Sequence, residues 1–210
     1  MLKNFHVKHN LLLALFILPT ALFCQQTMSF QERQIPEPQY RNSMVIAFNK
    51  SQKGYEKLSE SEKEFYYLVN YSRRNPSEFF DSVIEKVLNL YPQLRGPNSK
   101  SLESDFKAAA NLPLLTLNEN LSKMSHEHSI DITSNNASPS HNATNGESFS
   151  ERVKSFNIQK CASENISYGQ DEPVFLLTLL YLDINIPSLG HRKSLLNANF
   201  TTTGISASYF

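Results

Sequence analysis

Apolar residues recur at helical spacing along most of the 210-residue chain, and local end signals mark where helices begin. Ser59 followed by Glu62 forms a capping box that predicts the first long helix. Asn75 before Pro76 predicts a second helix directly after it. A further capping box, Thr116 to Glu119, predicts another helix. Three more are predicted at Leu102–Ala110, Phe149–Phe156 and Pro173–Leu182. The last of these is apolar on nearly every side, which is typical of a buried central helix.

Short extended segments are predicted outside the helices. Thr201–Tyr209 alternates and is rich in β-branched residues, which favours a strand. Glu164–Gly169 is predicted to be extended and to end in a glycine turn. Within a polar N-terminal stretch, the apolar run Met44–Phe48 predicts one short strand laid on the domain.

Helical register separates two neighbouring histidines. Leu121, Met124, His128 and Ile132 follow one another at spacings of three and four, so His128 lies on the core-facing side. His126 is about 200° away around the helix axis and points elsewhere. Two histidines at positions i and i+2 of a helix cannot bind one zinc ion. We therefore expect His128 to be a core histidine, hydrogen-bonded to a neighbour such as a backbone carbonyl.

The N-terminus has the pattern of an export signal. Lys3 and Lys8 precede an apolar run that Pro19 ends, and the run is too short to span a bilayer comfortably. This predicts a signal peptide at residues 1–24, a polar tether at 25–57 and one domain at 58–210. A lipid-modified Cys24 is the alternative, which the bulky residue before it, Phe23, disfavours. The predicted location is secreted or extracytoplasmic, as in a bacterial envelope.

Charge and cysteine content narrow the class of protein. The chain has 20 Lys and Arg and 20 Asp and Glu, so removal of the leader with its two lysines leaves a net charge of about −2. No nucleic-acid partner is expected from such a balance. Of the two cysteines, only Cys161 follows the leader, so no intrachain disulfide can form in the mature protein. Cys161 has no histidine at a nucleophile spacing, which favours a buried, inert thiol.

Short motifs in the second half of the chain carry the candidate chemistry. They are His128 and Asp131 on one helix, His141 in a Ser/Asn/Gly-rich loop, Glu164-Asn165-Ile166, Gly190-His191-Arg192 and Leu195-Leu196-Asn197. Their order and spacing resemble the CAP superfamily, the SCP-domain proteins named after cysteine-rich secretory proteins, antigen 5 and plant pathogenesis-related proteins. The resemblance is closest to the cysteine-poor bacterial branch. It covers roughly Leu58 to the C-terminus and includes Leu68, Asn70, Arg73 and Pro76.

The resemblance implies an α/β (α+β) fold, an α-β-α sandwich with a small antiparallel sheet between helices, and a cleft lined by two histidines and two acids. His141 and His191 match the histidines, and Glu164 matches one acid. The second acid stays open: it is Glu172, Asp183 or neither of them. The matches with a structural role are His128, Asp131, Asn165, Gly190, Arg192 and Asn197. Because the chain stops at Phe210, the family's final strand is expected to be missing, which leaves an unpaired sheet edge.

Two imidazoles and a carboxylate suffice for a weak divalent-metal site, for example for Zn²⁺, or for a polar anchor under a small, lipid-like ligand. No serine or cysteine lies in a nucleophile context, so acyl-enzyme chemistry is not expected. The first hypothesis is a secreted module that binds a small ligand or a surface partner, with no certain cofactor. The alternatives are a metal-assisted hydrolase, with His141 and His191 as ligands and Glu164 as general base, and a purely structural surface domain.

Overall fold

The computed structural model describes residue 35 and residues 41–159, 161–169 and 171–209. Within these ranges the chain forms nine α-helices and two short strands, which makes it mostly helical with an α+β arrangement. They are α1 (Ser43–Lys50), α2 (Glu60–Arg74), α3 (Pro76–Phe79), α4 (Glu85–Leu90), α5 (Pro97–Ala108), β1 (Thr116–Leu117), α6 (Glu119–Ser134), α7 (Phe149–Ser155), α8 (Pro173–Leu182), α9 (Gly190–Leu195) and β2 (Thr202–Thr203). Single 3₁₀ turns lie at Tyr55–Lys57 and Pro92–Leu94, and a π-helical turn at Phe80–Ile84 joins α3 to α4.

The core is centred on α8, which packs against α2. Its side chains are buried on nearly all sides, as its continuous apolar sequence predicts. Tyr181 of α8 is fully buried, and its ring meets that of Phe106 edge-on at 4.8 Å between centroids. Since the hydroxyl of Ser72 already donates to the carbonyl of Val69, the hydroxyl of Tyr181 donates to Ser72 Oγ, at 2.6 Å. Burial raises the pKa of Tyr181, so this donor stays protonated.

The predicted strand at Met44–Phe48 is wrong, because these residues belong to helix α1. The side chain of Asn42 caps this helix by accepting a hydrogen bond from the amide of Val45. Val45 and Asn49 face inward, and the Oδ1 atom of Asn49 accepts from Asn70 Nδ2 at 2.8 Å. A short apolar run does not distinguish a helix from a strand by its period, and here contact with α2 decides the outcome.

The two described strands run parallel, with Thr116 opposite Thr202 and Leu117 opposite Thr203. The antiparallel sheet expected from the resemblance is therefore not found in the described residues. The physical reason is the long connection between the strands, which contains α6 to α9 and brings the chain back in the same direction. Of the predicted strand Thr201–Tyr209, only Thr202 and Thr203 pair in a ladder.

Several predicted helix ends are shifted. Thr116 lies in β1, so the cap of α6 is Asn118, whose side chain accepts from the amide of Leu121 at 3.0 Å. Helix α5 begins at Pro97 rather than near Leu102. In both cases a nearby residue also favours a helix end. Propensity alone therefore does not decide which of the two residues begins the helix.

The predicted leader at residues 1–24, including Cys24, lies outside the described residues, as does most of the tether before Arg41. Among the helices that the structure describes, none combines the length and the apolar character needed to cross a bilayer.

Candidate functional site

The loop that carries His141 is fastened to helix α6 on both sides of that residue. On one side, His128 Nε2 lies 2.8 Å from the carbonyl oxygen of Ser140. A carbonyl can only accept, so Nε2 carries the proton. On the other side, Asp131 accepts from the amide of Thr144 at 2.8 Å and from its hydroxyl at 2.5 Å.

His128 and His126 lie where the helical spacing predicts, the first buried and the second exposed. Nδ1 of His128 has no hydrogen-bond partner in the part of the chain that the structure describes. The hydrogen bonds from the hydroxyl of Thr144, and then from its amide, lower the pKa of Asp131. Near neutral pH Asp131 is therefore ionised and holds the loop through these two hydrogen bonds. This is a structural rather than a chemical role.

The first histidine and acid of the site form a pair. His141 Nδ1 lies 2.9 Å from Glu164 Oε1, although the two residues come from different segments. The side chain of His141 is 57% exposed, whereas that of Glu164 is 13% exposed. Because the carboxylate accepts, Nδ1 of His141 is the donor, and in the neutral ring Nε2 is left as an acceptor.

Arg152 of α7 completes this pair and was not singled out from the sequence. Its two terminal nitrogens lie 2.9 to 3.0 Å from the oxygens of Glu164, and Nη2 also donates to the carbonyl of His141 at 3.0 Å. A sequence signal does exist: Arg152 shares a helical stripe with Phe149 and Phe156 at spacings of three and four. An arginine on the apolar stripe of a short helix indicates a buried polar partner.

The second pair joins His191 to Asp183, which is one of the two candidates for the second acid. His191 Nδ1 lies 2.6 Å from Asp183 Oδ1, and Oδ2 accepts from the backbone amide of Arg192 at 2.9 Å. The Asp183 side chain is fully buried, whereas that of His191 is 21% exposed. Asp183 ends α8 in the left-handed region at φ 50°, a conformation that Asp tolerates better than most residues.

Glu172, the other candidate for the second acid, has a different task. Its carboxylate caps the start of α8 by accepting from the amide of Phe175 at 2.6 Å. Burial raises the pKa of Glu172, against the effect of this amide. The folded state therefore binds the proton of Glu172 more tightly than the unfolded chain does. The protonated carboxyl thus stabilises the fold at low pH, and this stabilisation is lost as pH rises through the raised pKa.

We expect Glu172→Gln to stabilise the domain at neutral pH, because it removes a partly buried charge. The gain should be at most about 1 kcal/mol, since solvent partly screens this half-exposed group. The gain should vanish below the unfolded-state pKa of about 4.3. Urea denaturation at several pH values measures it. Glu151→Gln is the matched control with the opposite sign, since the hydroxyl of Ser148, and then its amide, lower the pKa of Glu151. A gain that is equal at all pH values would contradict the assignment.

Arg192 fixes the helix that carries His191. Its buried guanidinium donates to the carbonyls of Tyr181 and Asn98, to Ser101 Oγ and to Asp105 Oδ2, at 2.8 to 3.0 Å. These bonds tie α9 to α5 and to the end of α8. Gly190, at the first position of α9, has room for a Cβ, so crowding does not require a glycine before His191.

Arg73 of α2 anchors the segment after α9. It is fully buried and donates to the carbonyls of Pro113, Leu195, Asn197 and Phe200. Burial lowers the pKa of Arg73. The carbonyl groups of Leu195 and Asn197 thus face a buried cation, and the side chain of Asn197 accepts from the amide of Asn199 at 2.9 Å.

One hydrogen bond links the segment of the first pair to the helix of the second. Asn165, the residue after Glu164, donates from Nδ2 to Ser194 Oγ at 3.4 Å. Ser194 lies one turn after His191 on α9. The segment that carries Glu164 therefore contacts the helix that carries His191.

The predicted three-ligand metal cluster is not assembled. Within the described ranges, no group of three or more His, Cys, Asp or Glu side chains is arranged to hold a metal ion. Glu164 is engaged by Arg152 and His141, which leaves it poorly placed as a ligand. Cys161, predicted to be buried, is a free exposed thiol because it lies in an irregular segment between α7 and α8.

Comparisons with known proteins agree with the motifs. A family model described as "CAP: Cysteine-rich secretory protein family" matches residues 66–210. Uncharacterized protein YkwD of Bacillus subtilis (strain 168) is 37% identical over 92 residues, which are 43% of this chain and 34% of that protein. The match thus spans about a third of the relative's length. No solved structure matches the chain.

Proposed function

Since the chain belongs to the cysteine-rich secretory protein (CAP) family, we propose that it is an exported binding module, with its ligand held by the Nε2 atoms of His141 and His191. One observation carries the proposal: each ring is tied through Nδ1 to a carboxylate. In the neutral ring this contact sets the tautomer and leaves Nε2 as a hydrogen-bond acceptor. A site with two fixed acceptors suits a small ligand that presents hydroxyl groups, including a lipid-like alcohol.

The proposal includes the α-β-α sandwich of the family and an extracytoplasmic location. The location rests on the predicted leader at residues 1–24, with its charged start and apolar run. The sandwich is supported by the family match over residues 66–210 and by the β1–β2 pair beside the helices.

A resident metal and a hydrolase have less support. The donor set does not fit a three-ligand metal, because Glu164 is engaged by Arg152. The same contacts occupy the carboxylate that a hydrolase would need as its general base.

The test is a titration of ¹⁵N-labelled protein with 1-octanol, a small lipid-like alcohol, followed through the imidazole nitrogen signals. We expect the Nε2 signals of His141 and His191 to shift together. His141→Ala and His191→Ala should each weaken binding at least tenfold. His126→Ala is the matched control, because His126 is exposed on α6 and is bonded weakly, at 3.4 Å, to Ser206.

A parallel titration with Zn²⁺ separates the alternatives. Zinc binding that requires both His141 and His191, without any response to 1-octanol, would replace the hydroxyl ligand by a metal. If neither probe shifts either ring, the binding-module proposal fails at this site.

A further inference from the structure

We propose that Arg152 is the positioning residue of the site, and that it holds His141 in its binding tautomer by acting through Glu164. The effect on ligand binding rests on the proposed function, whereas the effect on the ring does not. The guanidinium touches both members of the pair: it binds the Glu164 carboxylate through two nitrogens and the His141 backbone through one.

The first step is electrostatic. The Glu164 side chain is 13% exposed and that of Arg152 is 5% exposed, so both charges are largely removed from water. A carboxylate in such a place stays ionised at low cost only when a cation and hydrogen bonds compensate it. The planar fork of arginine supplies both, with two parallel hydrogen bonds that a single ammonium group does not make.

The second step concerns the histidine ring. His141 is 57% exposed and is held by one side-chain contact, at 2.9 Å to Glu164. Without an ionised acceptor at Nδ1, an exposed imidazole is free to rotate and to move its proton to Nε2. The proton on Nδ1, and so the lone pair on Nε2, therefore depends on Arg152 although Arg152 does not touch the ring.

The third step is the loop backbone. Nη2 of Arg152 donates to the carbonyl of His141, beside the contact between His128 and Ser140. The guanidinium thus aligns the backbone and the ring of His141 at once. Its Nε atom is buried without a partner in the described part of the chain, so this placement carries an energetic cost.

The His191 pair provides an internal comparison. The bonds to the carboxylate of Asp183 come from the ring of His191 and from the backbone amide of Arg192. The Arg192 guanidinium points to α5 and to backbone carbonyls instead. Loss of Arg152 should therefore change the state of His141 and leave that of His191 unchanged.

The experiment compares wild type, Arg152→Met and Arg152→Lys, with Lys154→Met as the control for removal of a cation from the exposed side of the same helix. Imidazole ¹⁵N spectra are recorded without ligand at mildly alkaline pH. In wild type we expect the His141 ring to show a protonated Nδ1 and a bare Nε2. In Arg152→Met the bare Nε2 signal of His141 should be lost or averaged, while the signals of His191 stay in place. If a tenth of the rings keep the binding tautomer, the apparent affinity for 1-octanol should fall about tenfold.

Arg152→Lys keeps the charge and covers the case in which the methionine variant does not fold. It should retain the Nδ1 proton but lose the contact with the His141 carbonyl, so amide exchange across residues 140–147 should speed up several-fold. An unchanged His141 signal in Arg152→Met, or unchanged exchange in Arg152→Lys, overturns the inference. If 1-octanol fails to bind but His141 responds as expected, the positioning role stands and only the proposed function falls.

Discussion

Arg73→Met is expected to abolish stable folding of the domain. The buried guanidinium donates to four backbone carbonyls, from the loop before β1, from the last residue of α9 and from the segment after it. Methionine fills part of the volume but satisfies none of them, and each unpaired buried group costs about 1–3 kcal/mol. The sum is comparable with the whole stability of a typical domain, about 5–15 kcal/mol. Urea denaturation followed by circular dichroism measures the loss.

Arg95→Met is the matched control for Arg73. Arg95 is exposed and is paired with Glu85 on the surface, so its removal should change the free energy of unfolding by at most about 0.5 kcal/mol. A loss of under about 1 kcal/mol for Arg73→Met would mean that water or other groups replace its hydrogen bonds readily.

Gly204→Ala is expected to destabilise the domain by about 3 kcal/mol, through overpacking against helix α6. A Cβ at this position would collide with the backbone of Leu121 and Ser122, which cannot turn aside as a flexible side chain can. The helix or the segment after β2 must move instead. That segment is held to α6 by Ser206 and Ser208, whose hydroxyls lie 2.9 and 2.8 Å from Ser129 Oγ. Thermal and urea denaturation both measure the effect.

Gly190→Ala separates crowding from backbone freedom. A Cβ on Gly190 meets Ser188 Oγ at 3.5 Å, an ordinary contact, and Gly190 lies in the first turn of α9. Its substitution should be neutral or stabilising, by up to about 1 kcal/mol. Equal destabilisation by the two alanines would refute the close approach at Gly204.

Features set by local pattern could be predicted from the sequence. The capping box at Ser59, the continuous burial of α8 and the inward register of His128 all depend on residues within a few turns of one another. The resemblance to the family also indicates His141, Glu164 and His191 as cleft residues, which stays a prediction.

Features that depend on distant segments could not be predicted in the same way. The direction of the β1–β2 pair is decided by four intervening helices. The pairing of His191 with Asp183 depends on the left-handed backbone that ends α8 and turns Asp183 toward α9. Arg152 carries a positive charge in a stripe of aromatic residues, but its partner lies beyond the end of its own helix.

The parallel pairing of β1 with β2 also restricts the order in which the domain can be completed as it folds. Residues 118–201, with helices α6 to α9, are all made after β1 and before its ladder partner. Two ladder positions stabilise the sheet too little to offset the entropy lost in closing so long a loop. The helices must therefore shorten the distance between the two strands first. We therefore expect the β1–β2 contacts to form late in folding, after helices α6 to α9 have packed.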